Sequence, residues 1–302
     1  MVDLVPFEKY MTSVRSEATA GRYVRSVEAF LVWVGTTYGA VALGKLEPVA
    51  VKRYTVYLLD SGYLPTTIYS HLAGVKRYFR WLREQGVSVP DFYRVELPKR
   101  KRRVKDTLSG DLLRHYLRVA GELTEPLRTA AQLLPCSGLR SNEMVSLRLS
   151  DVHKSMVRLT DGTEKQVLVF TVRGKGGHER SVPLFDEGSE LLLSYLRGWR
   201  RSHSDQMYLF PGRYSGHLST RALRDSVQRI RGAFRARWTP HTMRRTYLTT
   251  LYRRGVPLPT LAKIGGHTVQ VLVDYYLGVD DHDAVAALHT TGSQLVTGGY
   301  RQ

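Results

Sequence analysis

Residues 240–278 read PHTMRRTYLTTLYRRGVPLPTLAKIGGHTVQVLVDYYLG, and the pattern in this stretch decides the fold. Pro240 stands where a helix begins, because its fixed φ suits the first turn and its missing N–H has no partner to lose there. Apolar periodicity then predicts helices over residues 241–254 and 258–264. His241 and Arg244 are three apart, so they share one face of the first helix close to its start. A helix start already favours a phosphate. Taken alone, such a pair is more often ordinary surface. After the second helix comes Gly265-Gly266-His267, and Tyr275 and Tyr276 then stand in an apolar run. Read singly, Tyr276 is half-buried packing.

Two islands upstream have the same character. SGLRSNEM, residues 137–144, puts Arg140 just after Gly138, where backbone comes close to a ligand, and Glu143 three residues further on. VRGKGGHERSVPL, residues 172–184, sets Lys175 among glycines in a turn between two strands. The strands are expected over 156–159, 167–172 and 180–184, and Asp161-Gly162 is a hairpin-type turn between the first two. They predict a small three-stranded antiparallel sheet. Around it the periodicity is helical over residues 111–120, 123–134, 141–149 (with Ser141 as the cap), 187–200 and 219–233.

The first 98 residues read as a small helical bundle. Val24, Val27, Phe30, Leu31 and Val34 form one apolar helical face, and residues 48–59 form a second amphipathic helix. Tyr69, Leu72, Val75, Tyr78, Phe79 and Leu82 form a third, with Thr66 and Thr67 near its N-cap. Its other face carries Lys76, Arg77, Arg80 and Arg83. That face is either a DNA contact or a solvated surface. Pro98 is followed by KRKRRVKD, residues 99–106, with Lys99, Arg100, Lys101, Arg102 and Arg103 at its head. Such a run is a linker that repels itself open, and it suits DNA phosphates. The expected division is therefore a helical domain over 1–98, a basic linker over 99–106 and a mixed domain over 107–302.

The 302 residues carry a formal charge of +18, of which +3 falls before the linker, +5 in it and +10 after it. A chain this basic is expected to meet a polyanion, and nucleic acid is the commonest. Cys136 is the single cysteine, so an intramolecular disulfide and a cysteine-rich zinc site are both excluded. No His/Asp/Glu grouping reads as a metal site. Neither a secretory signal nor a span of about 20 apolar residues is present, so a cytoplasmic, nucleoid-associated protein is expected.

The order Arg140, Lys175 in a β-turn, His241-x-x-Arg244, Gly266-His267 and Tyr276 nine residues later resembles the tyrosine recombinases, the family of phage integrases, Xer recombinases and Cre. The resemblance covers the whole chain, more loosely in the helical part, and it is specific because the motifs come as an ordered set. It implies a mainly α fold with a small antiparallel sheet in the C-terminal domain, built as a two-domain DNA clamp of core-binding and catalytic domains. It also implies DNA cleavage and rejoining through a 3′-phosphotyrosine on Tyr276, with Tyr275 as the rival nucleophile. Arg140 and Arg244 would clamp the scissile phosphate, Lys175 would protonate the leaving 5′ oxygen, and His267 would donate to the phosphate. His241 would bond the phosphate or accept the tyrosine proton, and Glu143 would orient the cations. No cofactor and no metal is implied. The implied partner is double-stranded DNA with specific sites, bound by a homotetramer on two such sites. The short region before the helical domain favours an Xer- or Cre-like type without an arm-binding domain. Two alternatives share the chemistry or the fold: a type IB topoisomerase-like relaxing enzyme, and a DNA-binding protein that no longer cleaves.

Overall fold

The computed structural model describes residues 2–40, 43–92, 107–158, 161–174, 177–203, 206–213, 216–230 and 238–275. The chain falls into two compact units, Met1–Lys101 and Arg102–Gln302.

The first unit is all helical: α1 (Val5–Val14), α2 (Glu17–Tyr38), α3 (Val49–Asp60) and α4 (Pro65–Glu84). Its core is aromatic. Phe30 of α2 meets Tyr54 of α3 edge-on at 5.1 Å and Phe79 of α4 at 5.9 Å. Phe7, Val27, Leu58, Leu72 and Val75 are buried with them. These are the inward positions of the amphipathic patterns, and burying them is the main stabilising term. The N-terminus of α4 departs from expectation: Pro65 is itself the first helical residue and Leu64 is the N-cap, so Thr66 and Thr67 lie inside the first turn. Proline at that position explains the shift, since its φ is already helical.

The second unit contains α5 (Gly110–Ala120), α6 (Leu127–Ser137), α7 (Ser141–Ser146), β1 (Val152–Arg158), β2 (Glu164–Arg173), β3 (Glu179–Leu184), α8 (Asp186–Arg197), α9 (Thr220–Ile230), α10 (Pro240–Arg253), α11 (Leu258–Gly265) and α12 (Val269–Tyr275). The strands form one antiparallel sheet in the order β1-β2-β3, with Val152 opposite Phe170 and Phe170 opposite Val182. Between β1 and β2, Asp161 Oδ1 accepts from the backbone N–H of Thr163 at 2.9 Å, which fixes the anticipated turn. Leu168, Phe170 and Val172 of β2 face a core shared with Leu133 and Leu134 of α6, Val182 and Leu184 of β3, and Leu223 of α9.

The strands are longer than the β-branched stretches that announce them, because polar residues at their ends still complete the ladder. The helix after α6 also begins differently. Arg140, not Ser141, is the N-cap, and Glu143 at its third position bonds back to the Arg140 backbone. No helix among the described residues is long and apolar enough to cross a membrane.

Candidate active site

Helix α6 ends at Gly138, whose φ of +61° turns the chain and aims its carbonyl at Arg244 of α10. A Cβ at residue 138 would overlap the Tyr247 ring, so the turn requires glycine on two counts. The turn delivers Arg140 to the start of α7. Glu143, one helical turn on, accepts the Arg140 backbone N–H at 2.8 Å and the Arg140 guanidinium at 2.6 Å.

The same carboxylate receives a bidentate bond from Arg180 of β3, at 2.7 Å to Oε2 and 3.0 Å to Oε1. Arg244 stands 3.9 Å from it on the remaining side. Glu143 is thus the common counterion of three guanidiniums from three separate elements. Burial alone would raise its pKa. The hydrogen bonds from Arg180 and the Arg140 backbone, with the charges of both arginines, outweigh this and hold the carboxyl down at about 2.

His267 follows α11, in the loop opened by Gly266 in left-handed conformation. Its Nε2 lies 2.7 Å from Arg244 NH2 and its Nδ1 lies 3.3 Å from Arg140 NH2. A neutral imidazole offers one lone pair and one N–H. The shorter contact assigns the lone pair to Nε2 and the proton to Nδ1. Burial, then the charges of Arg244 and Arg140, and after them those of His241 and Arg180, push the ring down to about 3. His267 is therefore neutral at physiological pH. Its Nδ1–H and the Arg140 NH2 donor face the same space, which suits an acceptor arriving from outside.

Arg244 is fully buried. It donates to the carbonyls of Gly138 and Gly265 as well as to His267. Arg140 is more open, with 38% of its side chain exposed. It also donates to the Gly266 carbonyl at 2.8 Å. Arg140, Asn142, His178, Arg180, Lys263 and His267 line a cleft of about 710 Å³. The cations Arg140, Arg173, Arg180 and Lys263 line it against the carboxylates Glu143 and Glu179, with a neutral imidazole beside them, so the cleft carries a positive surplus fit for an anion.

Of the anticipated site residues, the structure brings Arg140, Glu143, Arg244 and His267 together. His241 lies one turn before Arg244, exposed at the start of α10. Lys175 and Tyr276 lie outside the described residues, as do Lys99, Arg100, Lys101, Arg102 and Arg103. Strand β2 stops at Arg173 and β3 starts at Glu179, so the described strands flank Lys175, and α12 ends at the residue before Tyr276. The base of that hairpin is pinned. The buried Asp151 carboxylate accepts the backbone N–H of Arg148 and the guanidinium of Arg173, both at 2.8 Å, and Arg173 also reaches Glu179 at 2.9 Å.

Arg180 is the site residue that sequence reasoning missed. It sits within the quoted VRGKGGHERSVPL, but one basic residue in a strand after a glycine-rich turn carries no local signal of pairing.

The basic face of α4 is engaged with acids of its own unit. Arg77 and Arg80 reach Glu84 at 3.4 and 3.2 Å, Arg83 reaches Asp91 at 3.3 Å, and the charge of Asp91 also acts on Lys76. A second cationic place lies between α2 and α4, a cavity of about 420 Å³ lined by Arg22, Arg25, Thr66, Thr67, Ser70 and His71.

Residues 109–282 match the phage integrase family, and residues 4–86 match the phage integrase N-terminal SAM-like domain. The chain is 27% identical over 289 residues to a tyrosine recombinase of Thermosipho africanus, covering 93% of this chain and 96% of that one. It is 26% identical to the tyrosine recombinase XerC of Xanthomonas campestris, covering 88% and 80%. Among solved structures, the XerH site-specific recombinase bound to difH substrate in a pre-cleavage complex superposes with a TM-score of 0.68 at 20% identity, covering 89% of this chain and 78% of that one.

Proposed function

The chain belongs to the phage integrase family, with tyrosine recombinases as its curated relatives, and from that premise we propose that it cuts and rejoins DNA at specific sites through Tyr276. The observation that carries this reading is the convergence of Arg140, Glu143, Arg244 and His267 on one positively charged cleft, from segments more than a hundred residues apart.

In this reading a scissile phosphate enters between Arg140 and His267. Arg140 meets its non-bridging oxygens with charge-assisted bonds, and His267 donates from Nδ1. Arg244 keeps its bonds to the Gly138 and Gly265 carbonyls and to His267 Nε2, and adds its positive charge to the pocket. Two guanidiniums held by buried acceptors stabilise the charge that builds on the phosphorane without having to reorganise. The Tyr276 phenol oxygen attacks phosphorus while the bond to the 5′ oxygen breaks. His241 takes the phenolic proton and Lys175 delivers one to the departing 5′ oxygen. A 5′ hydroxyl reverses these steps on the same or an exchanged strand. One phosphodiester is replaced by one phosphotyrosyl ester, so no external energy source enters.

The helical residues 1–98, the basic segment 99–106 and the catalytic residues 107–302 would act as a clamp on the duplex. Lysines and arginines on phosphates would supply most of the affinity. Arg22 and Arg25, beside the α4 N-terminus, suit phosphate contact better than the acid-paired α4 face. A homotetramer on two sites is the expected working assembly, in the cytoplasm at the nucleoid.

Covalent trapping tests the proposal. Wild type, Tyr276→Phe and Tyr275→Phe are each mixed with DNA fragments, stopped with SDS, and the attached DNA is sequenced. An adduct lost only in Tyr276→Phe is the expected result, and it also reveals the target. Loss only in Tyr275→Phe keeps the reaction and moves the nucleophile. Tight binding with no adduct across broad genomic DNA would overturn the reading.

A further inference from the structure

Arg180 has no place in the reaction just described, yet its guanidinium is fully engaged at the cleft. All three of its guanidinium nitrogens bond to protein: NH1 and NH2 to Glu143, and Nε to the Ile264 carbonyl at 2.8 Å. Its side chain is 9% exposed, as is that of Glu143. So placed, it offers little to a substrate and much to its neighbours.

The guanidinium also lies flat against Gly266. A Cβ built at residue 266 would stand 3.1 Å from Arg180 Cζ, and the φ there is +58°. Glycine is therefore required on two counts, by the left-handed turn and by the close approach of the arginine plane. The Gly266 carbonyl is the one that Arg140 NH2 bonds at 2.8 Å, and His267 is the next residue. Arg180 thus touches the acid that orients Arg140, the end of α11, and the loop that presents His267. It does so from β3, the strand that follows Lys175 in the chain.

We propose that Arg180 is the positioning residue of the phosphate pocket: its fork on Glu143 and its bond to Ile264 fix Arg140 and His267 at the separation that a phosphate bridges. The role rests on the strand-cleavage reading above. A lysine in its place keeps the charge but offers a single point instead of a planar fork, so it cannot hold Glu143 and Ile264 together.

The experiment compares wild type, Arg180→Lys, Gly266→Ala and the double variant. DNA affinity, adduct formation at saturating DNA, and the His267 titration by NMR are measured on the full chain. We expect both single variants to bind DNA within about threefold of wild type. We expect them to form adduct about 100-fold more slowly at saturation, as a misplacement near 1 Å does. The double variant is expected to be no slower than the slower single, since both break one contact. The His267 value is expected to rise toward its ordinary range in each.

Cleavage within about threefold of wild type in either folded single variant overturns the proposal. So does lost affinity with an unchanged rate at saturation, or a double variant in which the two losses multiply. If Arg180→Lys does not fold, Gly266→Ala tests the same contact from its other side. If wild type forms no adduct, the cleavage reading fails. The His267 titration then still decides the positioning role, and an unchanged value in a folded variant sinks it.

Discussion

Replacing Glu143 with glutamine removes one charge and almost no volume, and it should cost this protein heavily. The carboxylate accepts the Arg140 backbone N–H, the Arg140 side chain and both ends of the Arg180 fork. A glutamine accepts through one oxygen only, and its amide would point N–H donors at whichever arginines the second oxygen served. Breaking a buried ion pair from one side costs about 3–5 kcal/mol. The titration gives a similar figure: a carboxyl held at about 2 instead of its ordinary 4.5 favours the folded anion by roughly 3 kcal/mol. For a unit of this size the melting temperature should fall by roughly 10 °C.

The assay is urea or thermal unfolding of wild type and Glu143→Gln from pH 7 down to pH 3. The folded-state value lies below the unfolded one, so this stabilisation is complete above the unfolded value of about 4.5 and is lost as the pH falls through the folded value. The gap between the two proteins should therefore be widest at neutral pH and shrink below pH 4.5. A gap under about 1 kcal/mol at pH 7, or one that does not narrow in acid, refutes the view of Glu143 as the site's shared counterion.

Four further outcomes are expected. His267 should stay neutral at pH 5 by imidazole NMR, and its share of stability should be full above its ordinary 6.5 and fade as the pH falls toward 3; a charged ring at pH 5 contradicts the assigned network. Gly138→Ala should lose about 1 kcal/mol to the left-handed backbone and more to overlap with Tyr247, and it should slow adduct formation by shifting the carbonyl that Arg244 holds; denaturant unfolding at wild-type stability would show that the turn relaxes freely. Asp151→Asn should destabilise by about 1–3 kcal/mol, since a buried acceptor of Arg173 and Arg148 is weakened, with slower cleavage because the hairpin base loosens; unchanged cleavage kinetics would separate that base from the chemistry. Joint Arg22→Ala and Arg25→Ala should lower the salt dependence of DNA binding, the slope of log K against log salt, by roughly 2; an unchanged slope would remove the α2–α4 cavity from the DNA contact.

The helices, the three-stranded sheet and the order of the motifs were legible in the chain itself, because each rests on short-range rules. Apolar spacing along α2 and α4, the Asp161-Gly162 turn and the proline at the head of α10 are decided within a few residues of one another. Helix starts were less legible. Leu64 and Arg140 are N-caps despite lacking the favoured side chains, because proline pre-sets one helix and Glu143 reaches back to the other. The residue types able to hold a phosphate were equally legible in the chain, since guanidiniums keep their charge in any surroundings. Which of them share a counterion depends on contacts that form only on folding. Arg180 and Glu143 are 37 residues apart, and Arg180 and Ile264 are 84 apart. A paired arginine in a strand has the same neighbours in sequence as a solvated one. The neutrality of His267 was hidden for the same reason: it comes from burial and from charges on α7 and α10, which meet only when the second unit closes around its core.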